Sequence, residues 1–146
     1  MERSVELLPG WSFARFAAGG IAFPASWTRI DDPRGLSWRA GEAELFLSGF
    51  GFEAAVPLLD AFVGIHRGVL ARPDTRITLD QPIRHPSGGS GWAIGWTQVC
   101  LRPPDYEFAS RYVRTEAAIY LLKRDRPRGS SDGSDLEAVF ATFLPV

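Results

Sequence analysis

Apolar and polar residues alternate along most of this chain. Short apolar runs, broken by Gly19-Gly20 and by an Asp, Pro and Gly turn at 31–35, fill residues 13–50. Alternation resumes over 76–84, where Ile77, Leu79 and Ile83 are expected to share one face, and over 92–124. Runs of this length between turn signals are typical of strands. The connections are too short for parallel crossovers, so the pattern predicts an antiparallel sheet.

Two segments have helical periodicity instead. From Pro57 to Ala71, apolar residues recur three or four positions apart, and proline suits the first turn of a helix. Near the end of the chain, Ser134 and Glu137 form an S-x-x-E capping box. The stripe that follows the cap is Leu136, Val139, Phe140 and Phe143. The sequence therefore predicts one α+β domain over 1–146, with about six antiparallel strands, a central helix and a C-terminal helix packed on the sheet.

Composition limits the partners and the compartment. The chain has 146 residues, 45% of them hydrophobic, and a net charge of -1, so we expect neither a nucleic-acid nor a membrane partner. Cys100 is the only cysteine, and Lys123 is the only lysine among 16 basic residues, which indicates a GC-rich, bacterial coding sequence. The N-terminal residues lack a signal-length apolar stretch, so a cytoplasmic location is predicted.

No motif in the sequence indicates a catalytic site, a metal site or a cofactor site. The segment Gly49 to Ala54 matches a loose G-x-G-x-x-A pattern, but Pro57 places the helix start too far away for its N–H groups to hold a phosphate. The histidines, His66 and His85, lie in different elements without metal-ligand spacing. The sequence predicts a protein that is not an enzyme.

Five tryptophans are the least ordinary feature, and Trp92 and Trp96 lie on one face of a strand. The aromatic set either fills the core beneath the helix or lines a groove. If the sheet binds a partner, the second-half strands supply both anchors and a charged rim. The predicted anchors are Trp92, Trp96, Tyr106, Phe108 and Tyr112, and the predicted rim is Arg102, Arg111 and Arg114.

Three local segments carry a resemblance to a known fold. They are the opening 20–27, which ends in Phe-Pro-Ala-Ser-Trp, the late strand 118–122, and the closing segment 135–143. Together with the order of elements, these segments resemble the PsbP-like fold. An extrinsic photosystem II protein, a Ran-binding import factor and the bacterial DcrB-like proteins share this fold. The competing helix-grip lipid-binding fold ends in a long helix, for which too few residues follow Ser134.

The resemblance implies a binding protein more than an enzyme. The Eag chaperones of type VI secretion, a cytosolic bacterial subgroup of similar size, bind hydrophobic segments of secreted effectors. We therefore predict a protein-binding adaptor or chaperone whose partner is another protein, such as a secreted effector or a second copy. The alternatives are a small-molecule or lipid-binding domain with a pocket between sheet and helix, and an immunity protein that neutralises a toxin.

Overall fold

The computed structural model describes residues 9–16, 19–51 and 55–144. Within these ranges the chain forms nine strands and two helices. The elements of the first half are β1 (Trp11–Phe16), β2 (Gly19–Pro24), β3 (Thr28–Ile30), β4 (Leu36–Ala40), β5 (Ala43–Phe50) and α1 (Leu59–Val69). The elements of the second half are β6 (Thr75–Arg84), β7 (Ser90–Gln98), β8 (Tyr106–Arg114), β9 (Ile119–Pro127) and α2 (Leu136–Thr142).

The strands form two sheets, and every pairing is antiparallel, as the short connections predicted. Strands β1 and β2 pair as a separate hairpin. The main sheet has seven strands, where about six were predicted. Their order is β3-β4-β5-β9-β8-β7-β6. Because β5 lies inside this sheet and β6 at its edge, α1 connects them across one face. No helix in the described ranges is long and apolar enough to cross a membrane.

The face opposite α1 carries the larger core. Side chains alternate along a strand, so Leu36, Trp38, Leu45 and Leu47 all lie on this face. The β1–β2 hairpin and α2 cover them, and we call this cluster the hairpin core. Its other buried members are Ala14, Ile21, Phe23, Trp27, Ala40, Ala43, Ala109, Val113, Ala118, Tyr120, Leu122, Leu136, Val139, Phe140 and Phe143.

Helix α2 confirms its predicted apolar stripe but not its predicted cap. All four stripe residues are buried in the hairpin core. The N-cap is Asp135, and no side-chain capping hydrogen bond is formed there, so the prediction of a Ser134 capping box is wrong. Two arginines hold the preceding loop instead. The Arg124 guanidinium donates to the Gly133 carbonyl and the Arg126 guanidinium to the Asp132 carbonyl, each at 2.9 Å.

The prediction that Ile77, Leu79 and Ile83 share one face of β6 is wrong. A β-bulge between Ile77 and Leu79 adds a residue to the strand, and side chains beyond it change faces. Ile77 consequently packs beneath α1, while Ile83 packs against the hairpin core. The same shift brings Asp80 to the α1 side of the sheet.

Candidate functional site

Helix α1 begins at Leu59, two residues after the predicted start at Pro57. Its buried side chains, Leu59 and Val63, pack on the second core, which we call the α1 core. The remaining buried members of this core are Leu70, Ile94, Trp96, Tyr112 and Ile119, with Val56, Phe62, Ile77, Trp92, Phe108 and Leu121 partly buried against them. The α1 core therefore contains most of the sequence-predicted anchors.

Polar contacts fix both ends of α1 to the sheet. The Arg114 guanidinium donates to the carbonyls of Pro57 and Val56, at 2.9 and 3.2 Å. At the other end, the Arg67 Nε lies 2.5 Å from the Asp80 carboxylate, which also accepts the Trp92 indole N–H at 2.6 Å. Hydrogen bonds from Arg67 and Trp92 lower the pKa of Asp80. These contacts orient one side of α1 toward the β6 edge.

An aromatic row lies beneath α1. The His66 Nδ1 contacts the Tyr112 hydroxyl, and the His66 ring meets Trp96 edge-on at 5.3 Å between centroids. Trp96 stacks parallel on Phe108 at 5.1 Å. Burial, together with the positive charge of Lys123, lowers the pKa of His66. The row is a packed support for α1, with Phe108 at its less buried end.

The apolar surface of α1 is wider than its contact with the sheet. Leu58, Ile65 and Val69 are 67%, 72% and 55% exposed. At about 100° per residue, positions 58, 62, 65 and 69 fall in one narrow stripe. Phe62 belongs to this stripe, and its ring meets Phe50 of β5 at 5.2 Å. We call Leu58, Phe62, Ile65 and Val69 the α1 stripe. Its first residue, Leu58, is the N-cap and lines a hollow with Pro82 and Ile83 of β6.

Beside the α1 stripe, neither described helix covers the sheet face, which we call the open face. The register places Phe46 beside Lys123 and Ser48 beside Leu121 on this face. A hollow of about 400 Å³ lies over these strands. It is lined by Asp32, Arg34, Ser37, Glu44, Leu45, Phe46, Ser48, Phe50, Leu121, Lys123 and Asp125. We call the α1 stripe together with Phe46, Phe50, Leu121 and Lys123 the α1 groove.

The predicted anchors share one sheet face but not one exposed surface. Trp96 and Tyr112 are buried, and Trp92 is half-buried against Asp80. Phe108 is half-buried, and Tyr106, whose ring lies 6.4 Å from Phe108, is exposed. Accordingly, only Phe108 and Tyr106 reach the open part of the face.

The predicted rim is not brought together. Arg111 is buried on the opposite face, where its guanidinium donates to Glu137 of α2 at 2.6 Å. Arg114 holds the start of α1, and Arg102 is exposed in the β7–β8 loop. The strand signal could not separate these roles, because alternation does not say which face a helix covers.

The sequence analysis did not predict that the residues of the α1 groove form one surface. These residues include the α1 stripe, Phe46, Phe50 and Lys123. Helical spacing alone places Leu58, Ile65 and Val69 on the buried side of a single amphipathic helix. A signal was available, since the apolar positions between 58 and 70 span more of the helix circumference than one sheet contact can bury.

The described residues contain no cluster of three potential metal ligands. The G-x-G-x-x-A segment falls partly outside the described ranges, at residues 52–54. Its last described glycine, Gly51, lies well before α1 begins at Leu59.

No protein-family model matches the chain, and no curated protein matches it by sequence. Solved structures do match. The solution structure of cyanobacterial PsbP (CyanoP) from Synechocystis sp. PCC 6803 aligns over 100% of this chain and 98% of its own length, with a TM-score of 0.70 and 6% identity. The chain has the PsbP-like fold.

Two further solved structures align with this PsbP-like chain. PA94, a Pseudomonas aeruginosa protein of unknown function, aligns over 93% of this chain and 97% of its own, with a TM-score of 0.57 and 12% identity. The Ran-binding protein Mog1p of Saccharomyces cerevisiae aligns over 88% and 80%, with a TM-score of 0.53 and 9% identity. The predicted fold is confirmed, and identities this low show the PsbP-like fold alone.

Proposed function

We propose that this chain is a protein-binding adaptor or chaperone, and that it holds an apolar segment of another protein in the α1 groove. The observation that carries the proposal is the exposure of Ile65 and Val69, which are one helical turn apart on α1 and next to the half-buried Phe62. Contiguous exposed apolar surface marks interaction sites, whereas single exposed apolar residues are ordinary. The contact between Phe62 and Phe50 continues the stripe onto the open sheet face.

The surroundings of the groove suit an interface. Apolar side chains occupy its middle, and the ion pairs of Asp32 with Arg34 and of Arg39 with Glu44 border the open sheet face. An apolar centre with a polar rim is the usual anatomy of an interface. Tyr106 and Phe108 extend the proposed site beyond Lys123, whereas Trp96 and Tyr112 act as its buried support.

The finer proposal is a cytoplasmic chaperone for a secreted effector. Mog1p, one structural neighbour, is named as a Ran-binding protein, and a shared fold raises the prior for protein binding without fixing the partner. A partner that proves to be a toxin would make the chain an immunity protein. Identification of the partner decides between these roles.

The test compares Ile65→Asp with Ala71→Asp, an exposed position beyond the C-terminal end of α1. Because exposed substitutions usually change stability by no more than about 0.5 kcal/mol, both variants should keep the wild-type melting temperature. In affinity capture from the native host followed by mass spectrometry, Ile65→Asp should lose the partner that the wild type and Ala71→Asp retain. Calorimetry with the purified partner should show at least about a tenfold loss for Ile65→Asp, since a buried anchor contributes more than about 1.4 kcal/mol. Retention of the partner by Ile65→Asp would contradict the proposal.

A small-molecule function has one observation in its favour, namely the hollow of about 400 Å³ over β5 and β9. Ligand sites commonly have such volumes, although they are more enclosed. Native mass spectrometry of the purified protein tests this alternative, which predicts a co-purifying mass that Ser48→Trp removes.

A further inference from the structure

Each helix contacts its own side of the main sheet through one histidine. The Nδ1 of His66, in α1, contacts the Tyr112 hydroxyl, and the Nε2 of His85, after β6, lies 2.8 Å from the Phe140 carbonyl of α2. The chain has no other histidine. Since the ordinary pKa of histidine lies between pH 5 and 8, both contacts can respond to mild acid. The contact of His66 is the one that holds α1.

The contact between His66 and Tyr112 requires a neutral imidazole ring. Tyr112 is completely buried, and within the described chain His66 is the only hydrogen-bond partner of its hydroxyl. In the tautomer that satisfies both groups, Nδ1 accepts the hydroxyl hydrogen. A protonated ring carries a hydrogen on each nitrogen and can accept none. Protonation of His66 beneath α1 would therefore leave a buried hydroxyl hydrogen without an acceptor, which is costly.

The surroundings of His66 also disfavour a positive charge. Burial, and then the positive charge of Lys123, lower the pKa of His66 below its ordinary value of 6.5. Among the described residues, no carboxylate forms an ion pair with His66. The other charged groups on this side of the sheet and on α1 are Glu44 of β5, Asp60 and Arg67 of α1, Asp80 of β6, Arg114 of β8 and Asp125 of β9.

The other polar contacts of α1 persist in mild acid. Arg114 donates to two backbone carbonyls at the start of the helix, and neither partner titrates there. Hydrogen bonds from Arg67 and Trp92 hold the pKa of Asp80 below its ordinary value, so its pair with Arg67 stays ionised. Of the described polar contacts between α1 and the sheet, that of His66 is therefore the one that changes between about pH 7 and about pH 5.

We propose that protonation of His66 opens α1 from the sheet, so that this helix is a pH-sensitive part of the fold. In the open state the ring is solvated and binds a proton with its ordinary affinity, so acid favours opening. The closed state is fully favoured above about pH 6.5, and this preference is lost as the pH falls toward the lowered pKa. Arg114 keeps the start of α1 attached as a hinge, and opening uncovers Trp96 and Tyr112. The inference does not rest on the proposed function, because it concerns the isolated chain.

The test is amide hydrogen exchange by NMR on the 15N-labelled full chain between about pH 7.5 and about pH 5, corrected for the intrinsic pH dependence of exchange. Below about pH 6.5 the opening constant of α1 amides should rise by up to about tenfold per pH unit, the limit for one proton. Amides of β9, the central strand, should change less. His66→Gln keeps a donor and an acceptor but does not titrate, so it should remove the α1 slope.

Two controls separate His66 from its neighbours. Asp125→Asn removes another group on this side whose pKa is shifted, and it should preserve the slope of α1. Lys123→Gln should move the titration of the His66 ring to higher pH, and the opening of α1 should follow it. Arg76→Gln, which changes an exposed cation on β6, should leave both unchanged.

Three results would overturn the inference. The first is an opening constant of α1 that does not change with pH. The second is an equal change in α1, β9 and α2, because the chain would then open as a whole. The third is a slope of α1 that survives in His66→Gln. If His66→Gln does not fold, the comparison of α1 with β9 in the unmodified chain, together with Lys123→Gln, still decides.

Discussion

His85 shows how much a single buried residue can contribute to this fold. It follows β6 directly and is almost fully buried. Its Nε2 lies 2.8 Å from the Phe140 carbonyl and therefore donates the hydrogen. Its Nδ1 then accepts from the Ser87 backbone N–H at 3.1 Å and from the Ser87 hydroxyl at 2.7 Å. The neutral ring thus connects the end of β6 to α2.

This arrangement predicts a pH dependence of stability. Burial lowers the pKa of His85 below its ordinary value of 6.5, so the unfolded chain binds the proton more readily than the folded one. The stabilisation is complete above about pH 6.5 and is lost as the pH falls toward the lowered pKa. In His85→Gln, which keeps a donor but does not titrate, the free energy of unfolding should fall less between pH 7 and about pH 5. Parallel pH profiles for the two proteins, measured by urea denaturation, would contradict this role.

At the scale of elements, α2 is held by its apolar stripe and not by a cap. Phe143 is buried and meets Tyr120 at 4.7 Å, whereas Ser134 is exposed. Phe143→Ala should therefore cost about 3 to 5 kcal/mol through the cavity that it leaves. Ser134→Ala should cost less than about 0.5 kcal/mol, not the roughly 1 kcal/mol of a lost N-cap. Chemical denaturation measures both, and a Ser134→Ala cost near 1 kcal/mol would restore the capping box.

Helix α1 illustrates what periodicity can and cannot predict at this scale. Its existence and its apolar positions followed from spacing, because backbone geometry alone fixes which residues share a side of a helix. Which part of that apolar surface is covered depends on where β5 ends and β6 begins in the sheet. The exposed Ile65 and the buried Val63 have equally apolar side chains, so the sequence could not separate the exposed part of the helix from the core.

At the scale of the whole molecule, α2 joins the two sheets. The Thr142 hydroxyl oxygen accepts the Ala22 N–H at 2.9 Å, and Leu144 pairs with Gly20 of β2 through two backbone hydrogen bonds. Deletion of the residues after Gly133 should therefore remove the α2 part of the hairpin core and also release the β1–β2 hairpin. We expect loss of near-ultraviolet circular dichroism and gain of dye binding, as in a molten state. A cooperative thermal transition near the full-length midpoint would contradict this dependence.

The sequence by itself determined the local elements. The hairpin of β4 and β5, the helical segment at 59–69 and the stripe from Leu136 to Phe143 all have signals that depend on a few neighbouring residues. Together with three short segments, their order was enough to predict the PsbP-like fold. Turn residues and periodicity act within one element, so they can be recognised without knowledge of the rest of the chain.

Only the tertiary structure decided which faces are covered. Alternation assigns Arg111 and Tyr112 to opposite faces of β8 but does not say that α2 lies on one and α1 on the other. The bulge in β6 reverses the face of Asp80, and one inserted residue leaves no mark in composition. Coverage of a sheet depends on contacts between residues far apart in the chain, and the face beside α1 is the part that neither of the two described helices covers.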